Sequence, residues 1–408
     1  MAGGYALFRQ RQFRELWAAS LLSNFSLVML LLGAGWVIST MTSNPLLVSM
    51  VQTVTSLPFL ILGIPAGIMS DLYGHRRILL GAHTWMLLGV AGLVALHFRG
   101  HLGPTWLLVA LAFIGTGMVF QQAAWKPFLH DLLPPDQQVS AISLNTLSNK
   151  LAQVVGPLLG GVLVGSKGAI LVFVTRALSH LVMMAVVRRV PKPTEATDRG
   201  NGGTFGEAMT RFGDGWRILR TSRPLYGPMI RYALFMLPCT GVVALLPLEA
   251  MENIQTEVIG YGGLLTALAL GTVSAVSLMP WLQERVPMQT LSSVALAVFS
   301  LAVLGISQWD SMLLDASFLL VAGFCSGILS VTHQWAVQTA APADQRGLMT
   351  SFYTLVLQGS LALGSFVFGL IATQVGVSHT ILICGLFAAA GLLLVRVFPM
   401  PVAQEQTA

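Results

Sequence analysis

Charge is what this chain has least of. Asp, Glu, Lys and Arg make up 9% of its 408 residues, against roughly a quarter in a soluble domain. With 55% hydrophobic residues and a mean hydropathy of +0.75, the composition excludes a soluble globular protein and reads as a polytopic membrane protein. Cysteine is scarce too. Cys239, Cys325 and Cys384 each fall within an apolar run, which excludes a disulfide framework, leaves no metal-ligand spacing and makes them packing residues. No P-loop, zinc spacing, nucleophile–base pair or intramembrane His/Asp cluster occurs, so the sequence implies no enzyme, no ATP-driven pump, no cofactor and no metal. The net charge of +6 sits in short loops between apolar runs rather than on one face, so no nucleic-acid partner is implied.

What remains is a succession of runs long enough to cross a bilayer, each taken as roughly 17 to 25 residues. Spans are expected near residues 16–40, 46–70, 78–97, 104–124, 139–165, 168–188, 226–249, 257–282, 289–308, 312–340, 347–373 and 378–398. The run after Arg9, Arg11 and Arg14 is too long for a signal-peptide core and has no small-residue cleavage site, so it reads as a retained first helix. Arg76, Arg77, Lys126, Arg188, Arg189, Lys192, Arg199, Arg211, Arg217, Arg220, Arg223, Arg285, Arg346 and Arg396 join the N-terminal arginines on one side, against Arg99 and Lys167 on the other. The bias places both termini in the cytoplasm.

The polar segment from Pro191 to Pro224 divides the chain into halves, 1–190 and 225–408, with 191–224 as a linker. Within the linker Phe205, Met209, Phe212, Trp216 and Leu219 recur at helical spacing beside Arg211, Arg217 and Arg220. That pattern predicts a basic amphipathic helix on the inner leaflet or beneath the bundles. An internal repeat supports the division. Pro134, Asp136 and Gln137 recur as Pro342, Asp344 and Gln345, an offset of 208 (342 less 134), and the same offset carries Gly115 to Gly323, Gly156 to Gly364, Gly161 to Gly369 and Gly168 to Gly376.

Gly67 to Arg77, Gly-Ile-Met-Ser-Asp-Leu-Tyr-Gly-His-Arg-Arg, packs a carboxylate, two arginines and two glycines between two apolar runs. Such charges must lie where water or partner charges reach them, so the stretch is expected to be a tight cytoplasmic turn. It resembles the loop between the second and third helices of major facilitator superfamily transporters. Gly67, Asp71, Gly74, Arg76 and Arg77 match, whereas Leu72 stands where a cation is usual. The resemblance implies that Asp71 with Arg76 or Arg77 contacts neighbouring helix ends and holds one gate state. Gly156-Pro157-Leu-Leu-Gly160-Gly161 is similar to the end of that superfamily's antiporter motif, with Ala152 replacing an earlier glycine. Its small residues permit close helix approach and Pro157 permits a bend. Phe13-Arg-Glu-Leu-Trp17, Thr42 to Pro58, Pro65-Ala-Gly67, Ala124-Trp125, Leu144-Asn145, Ala340 to Gly347 and Gln358-Gly359 resemble the enterobactin-exporter-type branch, the transmembrane secretion effectors.

The resemblance implies an all-α membrane fold of twelve helices in two pseudo-symmetric six-helix bundles, acting as a monomer in a bacterial inner membrane. It implies proton-coupled export of a siderophore or related metabolite by alternating access. Broad drug or macrolide efflux is the alternative, with import or a non-transporting sensor behind it. Polar and aromatic residues on the inward helices make the candidate substrate site: Asn24, Trp36, Gln121, Gln122, Trp125, Gln334 and Trp335, amides and indoles suited to a large, weakly charged molecule. Lys150, near the middle of the fifth span, has two readings: a contact for a carboxylate or catecholate, or a structural cation. Arg176 is expected to have a structural partner, and Arg231 to snorkel to the inner surface. Because the first and fourth spans carry no acid, the proton-coupling candidates are His333 and Glu249, the latter near Glu252 and Glu257 and read as an outward-facing surface charge.

Overall fold

A computed structural model describes residues 7–190, 205–306, 308–309, 311–342, 345–395, 397–398 and 400. Asp344, Arg396 and all of residues 191–204, with Lys192 and Arg199 among them, lie outside the described residues, as do the side chains of Phe205 and Arg211. The described chain is helical throughout. In order the helices are α1 (Arg11–Met41), α2 (Pro45–Tyr73), α3 (His75–Phe98), α4 (Pro104–Leu132), α5 (Pro135–Lys167), α6 (Ile170–Arg189), α7 (Phe205–Thr221), α8 (Arg223–Glu252), α9 (Val258–Arg285), α10 (Met288–Ile306), α11 (Met312–Ala340), α12 (Arg346–Val375) and α13 (Val377–Ala390), the last continued by a 3₁₀ turn, Gly391–Val395.

Helix is what hydrocarbon demands, since only a helix or a closed barrel satisfies every backbone N–H and C=O away from water. Eleven of these helices are long and apolar enough to cross a membrane, and Val377–Leu393 is a shorter apolar twelfth. Helices start where the sequence supplies proline or glycine. Pro104 and Pro135 open α4 and α5, where a missing N–H costs nothing. Gly74, Gly168 and Gly376 break the chain with φ between +76° and +86°, backbone that a side chain opposes.

The described chain divides into two compact units. Unit 1 is Met1–Ser43, Val54–Phe205 and Glu257–Thr266; unit 2 is Asn44–Thr53, Gly206–Thr256 and Ala267–Ala408. This grouping departs from the sequence division in three places. Helix α7 is part of unit 2 instead of standing in a linker, the start of α2 counts with unit 2, and the start of α9 counts with unit 1. For α7 the reason is its apolar face. Gly215 is so close to Leu348 that a Cβ would collide with its side chain, and Phe212 and Trp216 pack on Phe352 with ring centroids 4.8 and 6.0 Å apart.

For the two helix starts the reason is a steric device that occurs twice. In unit 1 a Cβ on Gly156 would sit 3.0 Å from Val28 on α1, and one on Gly161 would sit 2.8 Å from the Val258 carbonyl on α9. In unit 2 their repeat partners do the same. A Cβ on Gly364 would sit 2.5 Å from the Leu237 carbonyl on α8, and one on Gly369 would collide with Ser49 on α2. Thr53 and Ser365 add a hydroxyl–hydroxyl bond of 2.7 Å beside the second contact. Backbones that approach this closely gain dispersion contacts and exclude lipid.

Gly364→Ala is therefore expected to destabilise the protein by about 1–3 kcal/mol, as overpacking does. Gly81→Ala, with open space around the new methyl, is expected to leave stability unchanged or raise it by up to ~1 kcal/mol. Melting curves in detergent compare the two; equal losses would refute the steric account.

Candidate functional site

The glycine-and-charge motif is built at helix ends instead of in a loop. Helix α2 runs through Gly67 and Asp71 to Tyr73, Gly74 alone makes the turn at φ +84°, and α3 begins at His75. The predicted turn thus corrects to one residue, because helical hydrogen bonds continue up to the left-handed glycine on one side and restart on the other. His75, which the sequence reading left out, is the centre of the arrangement. Its Nε2 lies 3.3 Å from Asp71 Oδ1 and its Nδ1 2.7 Å from Asp131 Oδ2 at the end of α4. Each ring nitrogen of His75 thus faces a carboxylate, one from its own turn and one from α4. The signal was available: His75 follows Gly74 directly and heads the basic run. Arg76 Nη2 donates to the Arg188 carbonyl at the end of α6, 2.7 Å away. His75, through Asp131, and Arg76, through the Arg188 carbonyl, thus tie the α2–α3 turn to the ends of α4 and α6; Asp71 reaches only His75 within the turn, and Arg77 is exposed.

Along α5 the small residues of Gly156-Pro157-Leu-Leu-Gly160-Gly161 divide by face. Gly156 and Gly160 admit α1 through Val28 and Met29, while Gly161 admits Val258 and Ile259 of α9. A Cβ on Gly262 would lie 2.6 Å from the Pro157 carbonyl. Pro157 has no N–H for the Gln153 carbonyl, so the ladder is interrupted where α9 comes closest.

Several predicted substrate contacts are engaged between helices. Asn145 on α5 is a hub, its Oδ1 accepting from Trp125 Nε1 at 3.2 Å and from Ser20 Oγ at 3.1 Å. Trp17 Nε1 donates to the Leu144 carbonyl at 3.0 Å, and Asn24 Nδ2 to Ser148 Oγ at 3.0 Å. Asn24 and Trp125 therefore stitch α1, α4 and α5 together. Trp36 stacks on Tyr261 with centroids 5.9 Å apart. Gln121 is half-buried, Gln122 exposed. Lys150 is half-buried and has no hydrogen-bond or ion-pair partner among the described residues. In unit 2, Gln334 is exposed and Trp335 half-buried on α11.

The buried cations are held by neutral oxygens. Arg176 on α6 is 0% exposed; its Nη1 donates to the Ser23 carbonyl at 2.8 Å and to Ser26 Oγ at 3.2 Å. Ser26 donates to Ser179 Oγ at 2.8 Å, and Ser179 to the Arg176 carbonyl at 2.7 Å, closing a ring. Arg231 is 5% exposed, which corrects the expectation that it snorkels. Its guanidinium donates to Gln289 Oε1 at 3.0 Å, Ser292 Oγ at 2.9 Å and the Phe398 carbonyl at 3.2 Å, so acceptors inside unit 2 replace water. His333 is 1% exposed. Its Nδ1 lies 2.6 Å from the Leu329 carbonyl and so carries the proton. Its Nε2 has no partner. With Arg231, Ser292 and Phe235 it lines a cavity of about 10 Å³, room for one water. Glu249 is 3% exposed rather than outward-facing. Helix α8 continues past it to Glu252, and Asn253 Nδ2 donates both to Glu249 Oε2 and to Ser378 Oγ on α13, each at 2.7 Å. Among the described residues no group of three metal-ligating side chains forms.

These features define a major facilitator superfamily transporter: eleven membrane-length helices and a shorter apolar twelfth among the described residues, an internal repeat, a glycine-hinged charged turn after the second helix and a small-residue fifth helix. The fold matches that of a bacterial homologue of the human lysosomal transporter Spinster, with a TM-score of 0.76, 15% identity and coverage of 96% of this chain and 98% of that one. Within the superfamily the chain belongs to the transmembrane secretion effector family, whose model matches residues 2–408. It is 24% identical to macrolide efflux protein A of Streptococcus pyogenes, over 92% of each chain. It is 20% identical to the staphyloferrin A transporter of Staphylococcus aureus, covering 87% of this chain and 88% of the relative.

Asp131→Asn removes the charge from the shorter of the two His75 contacts. Transport turnover is expected to fall about tenfold with substrate affinity unchanged, since a charged hydrogen bond contributes about 1.5–3 kcal/mol and this one is partly exposed. Initial rates and equilibrium binding measured on the same preparation check it; a loss of affinity at unchanged rate would place the contact in the binding site instead.

Proposed function

We propose that the protein exports an anionic siderophore or related metabolite across a bacterial inner membrane, as a monomer with both termini in the cytoplasm. Export proceeds by alternating access of two six-helix halves, 1–190 and 225–408, joined by 191–224, and is driven by proton exchange. The observation that carries the substrate class is Lys150, a half-buried ammonium on α5 without a partner among the described residues. A cation at membrane depth needs an anion or a ring of dipoles, and a carboxylate or catecholate on the substrate supplies it. The other substrate-binding candidates, Asn24, Trp36, Gln121, Gln122, Trp125, Gln334 and Trp335, are amides and indoles of the kind that give neutral hydrogen bonds and flat apolar faces to a bulky ligand.

Gating falls to the Gly67, Asp71, Gly74, Arg76 and Arg77 set, in which Arg76 holds the end of α6 and Asp71 holds His75, which in turn reaches Asp131 at the end of α4. Gly156, Pro157, Gly160 and Gly161 form the antiporter-type seam along which α5 slides or parts from its neighbours. His333 and Glu249 are the first proton-coupling candidates, and burial of both supports that role, because a buried ionisable group in a transporter marks a pathway more often than a surface one does. Similarity to macrolide efflux protein A favours a second reading, efflux of macrolide-type drugs, for which an ammonium at position 150 would repel the drug's own amine.

Lys150→Gln separates the two. Binding of staphyloferrin A by the purified protein is expected to weaken at least about tenfold, or ~1.4 kcal/mol, while macrolide binding stays the same or tightens. Unchanged staphyloferrin A binding, or macrolide binding that weakens in parallel, would remove the anionic-substrate reading.

A further inference from the structure

The interior of unit 1 holds a second titratable centre. His83 on α3 and His180 on α6 are both 0% exposed, and their Nδ1 atoms lie 2.9 Å apart. Only one N–H fits between two nitrogens at that distance, so one ring donates and the other accepts. When both rings are neutral, the acceptor carries its own proton on Nε2 and the donor has a bare Nε2. Both Nε2 atoms are buried without a partner. Arg176 precedes His180 by one helical turn and so shares its face of α6; its Nη2 is 3.9 Å from Met86 Sδ, which lies one turn beyond His83 on α3. The guanidinium therefore flanks the pair.

Among the described residues no carboxylate answers this charge. The helices packed on α3 and α6 are α1, α4 and, more lightly, α5. At this depth α1 offers Ser20, Ser23 and Ser26, α4 has no charged residue between Pro104 and Trp125, and α5 has Lys150 as its one charged side chain between Gln137 and Ser166. A third proton on the histidine pair would add a cation beside Arg176 in an apolar setting, which is strongly opposed unless the helices part and water or an anion reaches the rings. We propose that His83 and His180 form a proton-binding pair that Arg176 keeps uncharged in the described conformation, and that protonation of the pair drives unit 1 towards a conformation in which the rings are hydrated. Resting on the proton-driven reading, this adds a coupling site in the half of the chain where the first and fourth spans carry no acid. The other half repeats the theme. Position 23 plus the offset of 208 is position 231, so Arg231 stands where Ser23 does, and it too lies beside a histidine with an unpartnered Nε2, His333.

Hydrogen–deuterium exchange on the full chain in lipid nanodiscs at pH 5 and pH 8, corrected for intrinsic exchange and measured without any substrate, tests the proposal. In the wild type, opening of residues 78–93 and 172–187 is expected to rise with falling pH, approaching about tenfold per pH unit for one proton. His83→Asn with His180→Asn, which keeps side-chain hydrogen bonding and removes titration, is expected to flatten that dependence. The same slope in the double variant, or no slope in the wild type, overturns it. If the variant does not fold, nitrogen NMR of [¹⁵N]histidine-labelled wild type decides: a neutral pair joined by one N–H···N bond at pH 7 supports the proposal, and an imidazolium at that pH overturns it. Substrate plays no part in this readout, so pH-dependent opening in a protein that fails to export siderophore would sink the export reading and leave the pair standing.

Discussion

Hydrocarbon offers no partner to an unsatisfied polar group, and most of this structure follows from that one constraint. The backbone answers by being helical. Buried cations answer by recruiting carbonyls and hydroxyls: Arg176 takes the Ser23 carbonyl and two serine hydroxyls into a closed ring, and Arg231 takes Gln289, Ser292 and the Phe398 carbonyl. A guanidinium suits this because its donors fan out in a plane and its charge is delocalised. Neutral oxygens take up part of each guanidinium's donors, Arg176 Nε being left without a partner, and they leave the net charge uncancelled.

Helix packing obeys a second consequence of the same solvent. Lipid tails are as apolar as leucine, so helices gain from association only where their backbones come close. The repeat has preserved the places where they do. Gly156 and Gly364 receive the first helix of their own half, and Gly161 and Gly369 receive the opening turns of α9 and α2. Between these fixed points the proline breaks at 157 in α5 and at 228, 238 and 247 in α8 leave carbonyls without their helical donor, which allows bending without loss of a bond.

Much of this was legible in the sequence because the membrane writes in long stretches. Run length and cation bias gave the spans, and the 208-residue offset identified the glycine pairs before any contact was known. The misreadings share a cause: they concern single side chains whose fate depends on a neighbour far away in sequence. Glu249 resembles a surface acid beside Glu252 and Glu257 until Asn253 and Ser378 are seen to enclose it. Arg231 resembles a snorkelling cation until Gln289 and Ser292, some sixty positions on, arrive beside it. Nothing local to Asn24 or Trp125 shows the hydrogen bonds they give to Ser148 and Asn145 on another helix. His83 and His180 are 97 positions apart, and nothing local to either marks them as a pair.

The central claim of the proposal is that substrate leaves as protons enter. Efflux of staphyloferrin A from proteoliposomes, followed with and without an imposed pH gradient and again with a proton ionophore, tests it most directly. The account predicts efflux that accelerates with the gradient and returns to the passive rate when the ionophore collapses it. Efflux at one rate under all three conditions would contradict it.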